Sequence, residues 1–152
     1  MSGHLKVHLK PNERVYINGG VIKVDRKVTI ELMNEVVFLL EGHILQEDQA
    51  TTPLRQLYFI VQSMLMEPKC ESIARQMYER SHDALIRTFK SQDVLDGLME
   101  IKSLMERGRT FETLRKIRAL FPIEDEILKS GKFGAAELPV ELPAELPTKS
   151  VA

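Results

Sequence analysis

The chain has 152 residues, of which 43% are hydrophobic and 28% are charged, and its 21 basic and 22 acidic side chains give a formal net charge of −1. This near balance excludes a histone-like or wholly basic nucleic-acid-binding protein, and the composition is that of an ordinary globular domain. The single cysteine excludes an intrachain disulfide, and no apolar run approaches the ~20 residues of a membrane span, so we expect a cytoplasmic protein with no membrane partner.

The first forty residues have the alternating apolar pattern of β-strands. Side chains at every second position are apolar in three stretches: Leu5, Val7, Leu9, Val15, Ile17, Val28, Ile30 and Leu32. Asn18-Gly19-Gly20 predicts a tight hairpin turn, because Asn and Gly tolerate positive φ angles. The continuous apolar run at residues 36–40 predicts a strand covered on both faces. We therefore predict an antiparallel meander of four or five strands between about residues 5 and 46, in a small sheet or a barrel-like one.

Helical periodicity follows and predicts about four helices between about residues 52 and 129. Thr52 before Pro53 is a strong helix start, because the Thr hydroxyl can accept from a free amide and Pro tolerates the first helical position. Apolar residues on several faces of this first helix indicate that it is buried almost all round, and Glu67-Pro68 ends it.

The later helices are bounded by recognisable caps and breakers. A second helix carries Met77 and Leu85, and Ser91 is predicted to cap a third, which stops near Gly108. The fourth is predicted from Thr110 to residue 121, where Pro122 would close it.

The end of the sequence has a different character. Glu-Leu-Pro occurs three times with a period of four residues, starting at Glu137, Glu141 and Glu145. Proline at this density opposes both helix and sheet, so residues 134–152 are predicted to form a disordered or extended tail. Residues 1–133 are predicted to form a single α+β domain.

The sequence offers no residue set for catalysis, a metal or a cofactor. The four histidines lack metal-ligand spacing, and the group Glu79, His82 and Asp83 is typical of a solvated helix surface. Cys70 follows a lysine, which can lower a thiol pKa, but free cysteines most often act as small buried apolar residues. We therefore expect a protein that is not an enzyme.

The basic residues are distributed unevenly. A helical cation group has a local excess of positive charge and consists of Arg107, Arg109, Arg115, Lys116 and Arg118. A weaker strand cation group consists of Arg14, Lys23, Arg26 and Lys27. Such groups attract a phosphate backbone, and Tyr16 on a polar sheet edge could stack on an unpaired base. Against this, charged residues on amphipathic helices mostly just face water.

Three segments, in this order, resemble the FlbT family of alphaproteobacterial flagellum biosynthesis regulators. They are LKPNER at residues 9–14 leading into the Asn18-Gly19 hairpin, ILQEDQATTP at residues 44–53 with Arg55 and Tyr58 following, and LRKIRALFPIE at residues 114–124. The resemblance covers about residues 5–128, and the Thr-Thr-Pro stretch is its most specific part.

The resemblance implies post-transcriptional control of flagellin. Members of the family associate with the 5′ untranslated leader of flagellin mRNA and affect its translation and decay, as a repressor would. The two cation groups then become candidate RNA contacts, because a leader-binding protein must neutralise phosphates. There is no catalytic motif to carry over.

A second hypothesis is a protein-interaction adaptor or chaperone for flagellin or another flagellar factor. Methionine side chains adapt to varied partners, and the helices carry Met64, Met66, Met77, Met99 and Met105, although ordinary core packing also explains them. A homodimer is a further expectation, because a short meander leaves edge strands that pairing would cover.

Overall fold

The computed structural model describes residues 5–130, in which five β-strands precede four α-helices. This order confirms the predicted α+β class. The described residues group into two compact units, a strand unit over residues 5–44 and a helical unit over residues 45–130. The Glu-Leu-Pro tail predicted for residues 134–152 lies outside the described residues, and a single domain over residues 1–133 stays a prediction.

The strand unit contains two small antiparallel sheets. β1 (Leu5–Leu9) pairs with β4 (Val28–Leu32), whereas β2 (Arg14–Ile17) lies between β3 (Gly20–Lys23) and β5 (Phe38–Leu40). A simple meander would place β1 beside β2. Instead, the β2–β3 hairpin is inserted in the chain between the paired strands β1 and β4.

The apolar alternation and one tight turn account for this unit. Val7, Leu9 and Val15 are buried, and partly buried side chains from β2, β4 and β5 pack against them. Asn18 and Gly19 have φ angles of +46° and +94°, as a two-residue hairpin turn of the predicted kind requires. The turn sets the register of β2 against β3, with residue 17 opposite residue 20.

The helical unit is built on four helices. They are α1 (Pro53–Met66), α2 (Glu71–Thr88), α3 (Gln92–Glu106) and α4 (Thr110–Lys129). α1 packs against both α2 and α4, and α4 also packs against α3. Twelve of the fourteen residues of α1 are buried, which confirms the prediction of a helix covered almost all round.

Two predicted caps are present. The Thr52 hydroxyl accepts a hydrogen bond from the Arg55 N–H at 3.2 Å, and the Ser91 hydroxyl accepts one from the Val94 N–H at 3.4 Å. Each satisfies an amide that has no acceptor within its own helix.

The prediction that Pro122 closes the fourth helix is wrong. α4 continues through Pro122 to Lys129, although proline has no N–H to donate to the carbonyl of Arg118 one turn earlier. The turn after the proline carries Glu124, which is completely buried and bonded to the start of α1. This tertiary contact accounts for a helix that proline propensity alone disfavours.

Candidate nucleic-acid interface

The helical cation group begins at the turn between α3 and α4. Arg107 and Arg109 flank Gly108, whose φ of +73° makes the sharp reversal. Both arginines are exposed, and the Nε of Arg107 donates to the carbonyl of Ser103 at 3.4 Å. The other three members lie along α4.

Two members of the group are paired with nearby acids. Arg109 donates to the carboxylate of Glu112, and the hydrogen bond holds the pKa of that carboxyl below its usual value. Lys116 reaches Glu100 on α3, with Nζ and Oε2 3.4 Å apart. Arg115 is exposed and forms no hydrogen bond or ion pair with the residues that the structure describes.

Arg118 is directed toward α1 instead of outward. Its Nη1 donates to the hydroxyl of Tyr58 at 3.0 Å, and the arginine side chain is half-buried. Lys116 approaches α3, so the two residues extend to opposite flanks of α4, with Arg115 exposed on the same helix. These three cations therefore extend from different sides of α4.

A shallow depression of about 370 Å³ lies between α3 and α4. Its lining combines two acidic, two basic and two apolar side chains: Glu100, Leu104, Glu112, Arg115, Lys116 and Ala119. Because the two acids offset the two bases, the local charge is much lower than a count of cations along the sequence indicates.

The helical unit also contains a buried polar junction that sequence reasoning missed. Glu124 accepts a hydrogen bond from the Leu54 N–H at 2.7 Å, which satisfies an amide at the start of α1. Arg55 binds both carboxylate oxygens of Asp125, at 2.7 and 3.1 Å. The guanidinium of Arg55 also stacks on the Phe121 ring, 4.5 Å from its centroid.

Burial and neighbouring groups shift the pKa values of two residues in this junction. Burial raises the pKa of Glu124, against the opposing effects of hydrogen bonds from Thr52 and Leu54 and the nearby charge of Arg55. The hydrogen bond to Asp125 raises the pKa of Arg55.

The junction joins the two segments that carry most of the resemblance, residues 44–53 with Arg55 following and residues 114–124. Its side chains hold α1 against α4, so their role is structural. The only sequence signals for it were the Thr-Pro helix start and the Phe-Pro-Ile-Glu run.

In the strand cation group, two arginines are paired and two lysines are not. Arg14 makes a hydrogen bond through its backbone N–H and an ion pair through its guanidinium with Glu41, at 3.0 and 3.3 Å. Arg26 pairs with the adjacent Asp25 at 3.1 Å on the exposed surface. Lys23 and Lys27 are exposed and form no ion pair or hydrogen bond with the residues that the structure describes.

The expectation that Tyr16 offers a stacking surface is wrong. Tyr16 is only 2% exposed, and it lies on the central strand of its sheet between Val21 and Leu39, not at a sheet edge. A side chain with so little accessible surface cannot stack on an unpaired base.

Two other patterns are explained by core packing. Of the five methionines considered for a partner surface, Met99 is 54% exposed and the other four are buried. His82, expected on a solvated surface, is buried, with its Nε2 2.7 Å from the carbonyl oxygen of Leu98 on α3. The four buried methionines and this histidine therefore belong to the interior of the helical unit.

Within residues 5–130, no three His, Cys, Asp or Glu side chains are grouped as metal ligands would be. None of the helices in that range has the length and hydropathy needed to cross a membrane. Cys70 is free and half-buried in a short 3-10 helix between α1 and α2.

Comparison with known proteins gives a consistent result. The family model described as "Flagellar protein FlbT" matches residues 5–128. A "Probable flagellum biosynthesis repressor protein FlbT" of Mesorhizobium japonicum is 52% identical over 128 residues, covering 84% of this chain and 87% of the relative. A "Probable flagellum biosynthesis repressor protein FlbT 2" of Bradyrhizobium diazoefficiens is 50% identical over 137 residues, covering 90% of this chain and 98% of the relative. No solved structure gives a significant match.

Proposed function

This chain belongs to the FlbT family, and on that premise we propose that it represses flagellum biosynthesis by binding the 5′ untranslated leader of flagellin mRNA. Binding would control translation and degradation of the message, without catalysis or a cofactor of its own. Binding of an mRNA leader during translation requires that the protein is in the cytoplasm. The names of the relatives support a regulatory role in flagellum synthesis, and the RNA target is our proposal.

Three exposed cations that form no ion pair or hydrogen bond with the described residues carry the RNA proposal. Arg115 on α4, and Lys23 and Lys27 in the strand unit, are exposed and unpaired within the described residues. An RNA leader supplies the phosphates that such side chains attract, with release of counterions. The remaining members of both cation groups are proposed as secondary contacts.

The direct test is a titration of the full chain with its own flagellin leader RNA and with a scrambled RNA, at two salt concentrations. We expect leader-selective binding that weakens as salt rises. Absence of binding to either RNA at both concentrations would overturn the proposal and favour the adaptor hypothesis.

One variant tests the contribution of α4. Arg115→Ala should weaken binding about equally for different RNA sequences and change the log-log salt slope by roughly 0.7 to 0.9. Lys129→Ala, which removes an exposed charge from the end of the same helix, is the matched control. Equal affinities of the Arg115 variant and the wild type would remove Arg115 from the interface.

A further inference from the structure

β3 is an exposed edge of the three-stranded sheet. It is the terminal strand in the order β3-β2-β5, and all four of its residues are exposed. Within the described residues, only β2 pairs with it. An edge strand of this kind presents backbone donors and acceptors that are not used by the sheet.

The hydrogen bonds next to β3 identify those unused groups. The Val24 N–H donates to the Glu13 carbonyl at 3.2 Å, and the Val24 carbonyl accepts from the Asn12 N–H at 2.8 Å, so the polar groups of residue 24 point toward the β2 side. Backbone polar groups alternate sides along an antiparallel strand. Those of Ile22 therefore also point toward β2, and those of Val21 and Lys23 point outward.

The outward edge is thus a short row of two donors and two acceptors. Val21 and Lys23 lie two residues apart, so their groups are separated by about 7 Å along the strand. The side chains of Val21 and Ile22 are each 47% exposed and provide an apolar surface on either side of this row.

The charge around the row is positive. Lys23 on β3 and Lys27 after it are unpaired within the described residues, and Arg26 is opposed only by its neighbour Asp25. β3 itself contains no acidic residue. This charge suits a polyanion better than a second copy of β3, which would bring the same lysines toward each other.

We propose that the free edge of β3 binds single-stranded RNA. The N–H and C=O groups of Val21 and Lys23 form hydrogen bonds with the edges of unpaired bases, while the ammonium groups of Lys23 and Lys27 contact adjacent phosphates. A duplex has its Watson–Crick edges occupied and cannot use this row. The inference rests on the proposed function and specifies which part of the RNA is read and by which atoms.

The first experiment compares the flagellin leader as a single strand with the same leader annealed to its complement, together with a scrambled single strand. Val21→Pro is the informative variant, because it removes an N–H that points away from β2 and edge strands tolerate proline at such a position. We expect this variant to lose about threefold to tenfold in affinity for the single-stranded leader and much less for the duplex. The ratio of the affinities for leader and scrambled RNA should decrease, since the variant lacks one hydrogen bond to a base.

A charge variant keeps the proposal testable if the proline variant does not fold, as judged by circular dichroism and thermal denaturation. Lys23→Glu should weaken all single strands about equally and lower the salt slope by about 0.7 for each phosphate that is no longer neutralised. Lys69→Glu, an exposed lysine of the helical unit with the same change in charge, should retain most of the affinity.

The outcomes separate this inference from the proposed function. If the wild type binds no leader RNA, the proposed function fails and this inference fails with it. If the wild type binds but a folded Val21→Pro variant, or else Lys23→Glu, binds as tightly, only the edge is overturned. A dimer in sedimentation analysis that Val21→Pro converts to a monomer would assign the edge to a second copy and also overturn the proposal.

Discussion

The strand unit and the helical unit carry similar numbers of cations that are predicted to contact RNA. The two sets differ in the contacts that their side chains make within the protein. On α4, Lys116 is held by Glu100 and Arg118 by Tyr58, so these side chains also connect the helices. In the strand unit, Lys23 and Lys27 have no partner within the described residues and lie beside an unpaired strand edge. The comparison shows that an excess of basic residues in a sequence does not measure how many are available to a ligand.

The two units also differ in what defines their local structure. The β2–β3 hairpin depends on a turn formed by two adjacent residues, Asn18 and Gly19. The start of α1 depends on a carboxylate that lies seventy residues away in the chain. Substitutions at each place should therefore have distinct effects.

The largest effect is expected at the buried junction. Glu124→Ala removes the acceptor of the buried Leu54 N–H and should lower the free energy of unfolding by about 2 kcal/mol, measured by chemical denaturation. Glu124→Gln keeps an acceptor oxygen and should be much milder. Glu126→Ala, at an exposed position on the same helix, is the control. Equal stability of the two alanine variants would contradict a structural role for Glu124.

A smaller effect is expected at the hairpin turn. Gly19→Ala places a side chain at a φ of +94°, where no neighbouring atom obstructs it, so the cost comes from backbone strain alone and should be about 1 kcal/mol. Gly42→Ala also adds a methyl group in open space but at an ordinary φ, and should be nearly neutral. The same thermal denaturation midpoint for both variants would argue against the turn geometry.

The buried Glu124 and the exposed Glu112 should have opposite effects on how the stability of the protein depends on pH. Because the folded-state pKa of Glu124 is raised, its contribution to stability is present below about pH 4.5 and is lost as pH rises through the folded-state value. The stability of the wild type relative to Glu124→Gln should therefore fall as pH rises above 4.5. For the exposed Glu112, whose pKa is lowered, comparison with Glu112→Gln should show a weaker trend of opposite sign. Parallel stability curves for the wild type and Glu124→Gln would contradict the raised pKa.

The smallest effect is expected for the exposed ion pair between Arg109 and Glu112. Exposed pairs contribute little to stability, because water screens both charges and two side chains lose freedom. Arg109→Ala and Glu112→Ala should each change the unfolding midpoint much less than Gly19→Ala does. A clear loss of stability in both single variants, together with a non-additive effect in the double variant, would show that the α3–α4 turn depends on this pair.

Features set by neighbouring residues could be predicted from the sequence. The Thr52 and Ser91 caps and the Asn18-Gly19 turn depend on contacts within three residues, and all three are present. The alternation of apolar residues likewise predicted the buried positions Val7 and Leu9.

Features set by distant residues could not be predicted in this way. Pro122 lies inside a helix because the following turn is bonded to α1, and Tyr16 lies on a central strand because β5 returns to pair with β2. The pairing of β1 with β4 brings together residues more than twenty positions apart. Periodicity in a single segment contains no information on which segment it meets.

The same holds for the candidate interface. The distribution of charge along the chain indicates the helical and strand cation groups, and their assignment to RNA stays a prediction. A count of charges along the sequence cannot distinguish Arg118, which donates to Tyr58, from Arg115, which is unpaired within the described residues.

The hydrogen bond between Leu54 and Glu124 also sets an order of events during synthesis. α1 is translated first, but the carboxylate that completes its first turn is added seventy residues later. At a translation rate of roughly 5 to 20 residues per second, the nascent helix waits about 4 to 14 s for this partner. A ribosome that stalls before residue 124 therefore holds an unfinished helical unit, in which the face of α1 that packs against α4 is still accessible to chaperones and proteases.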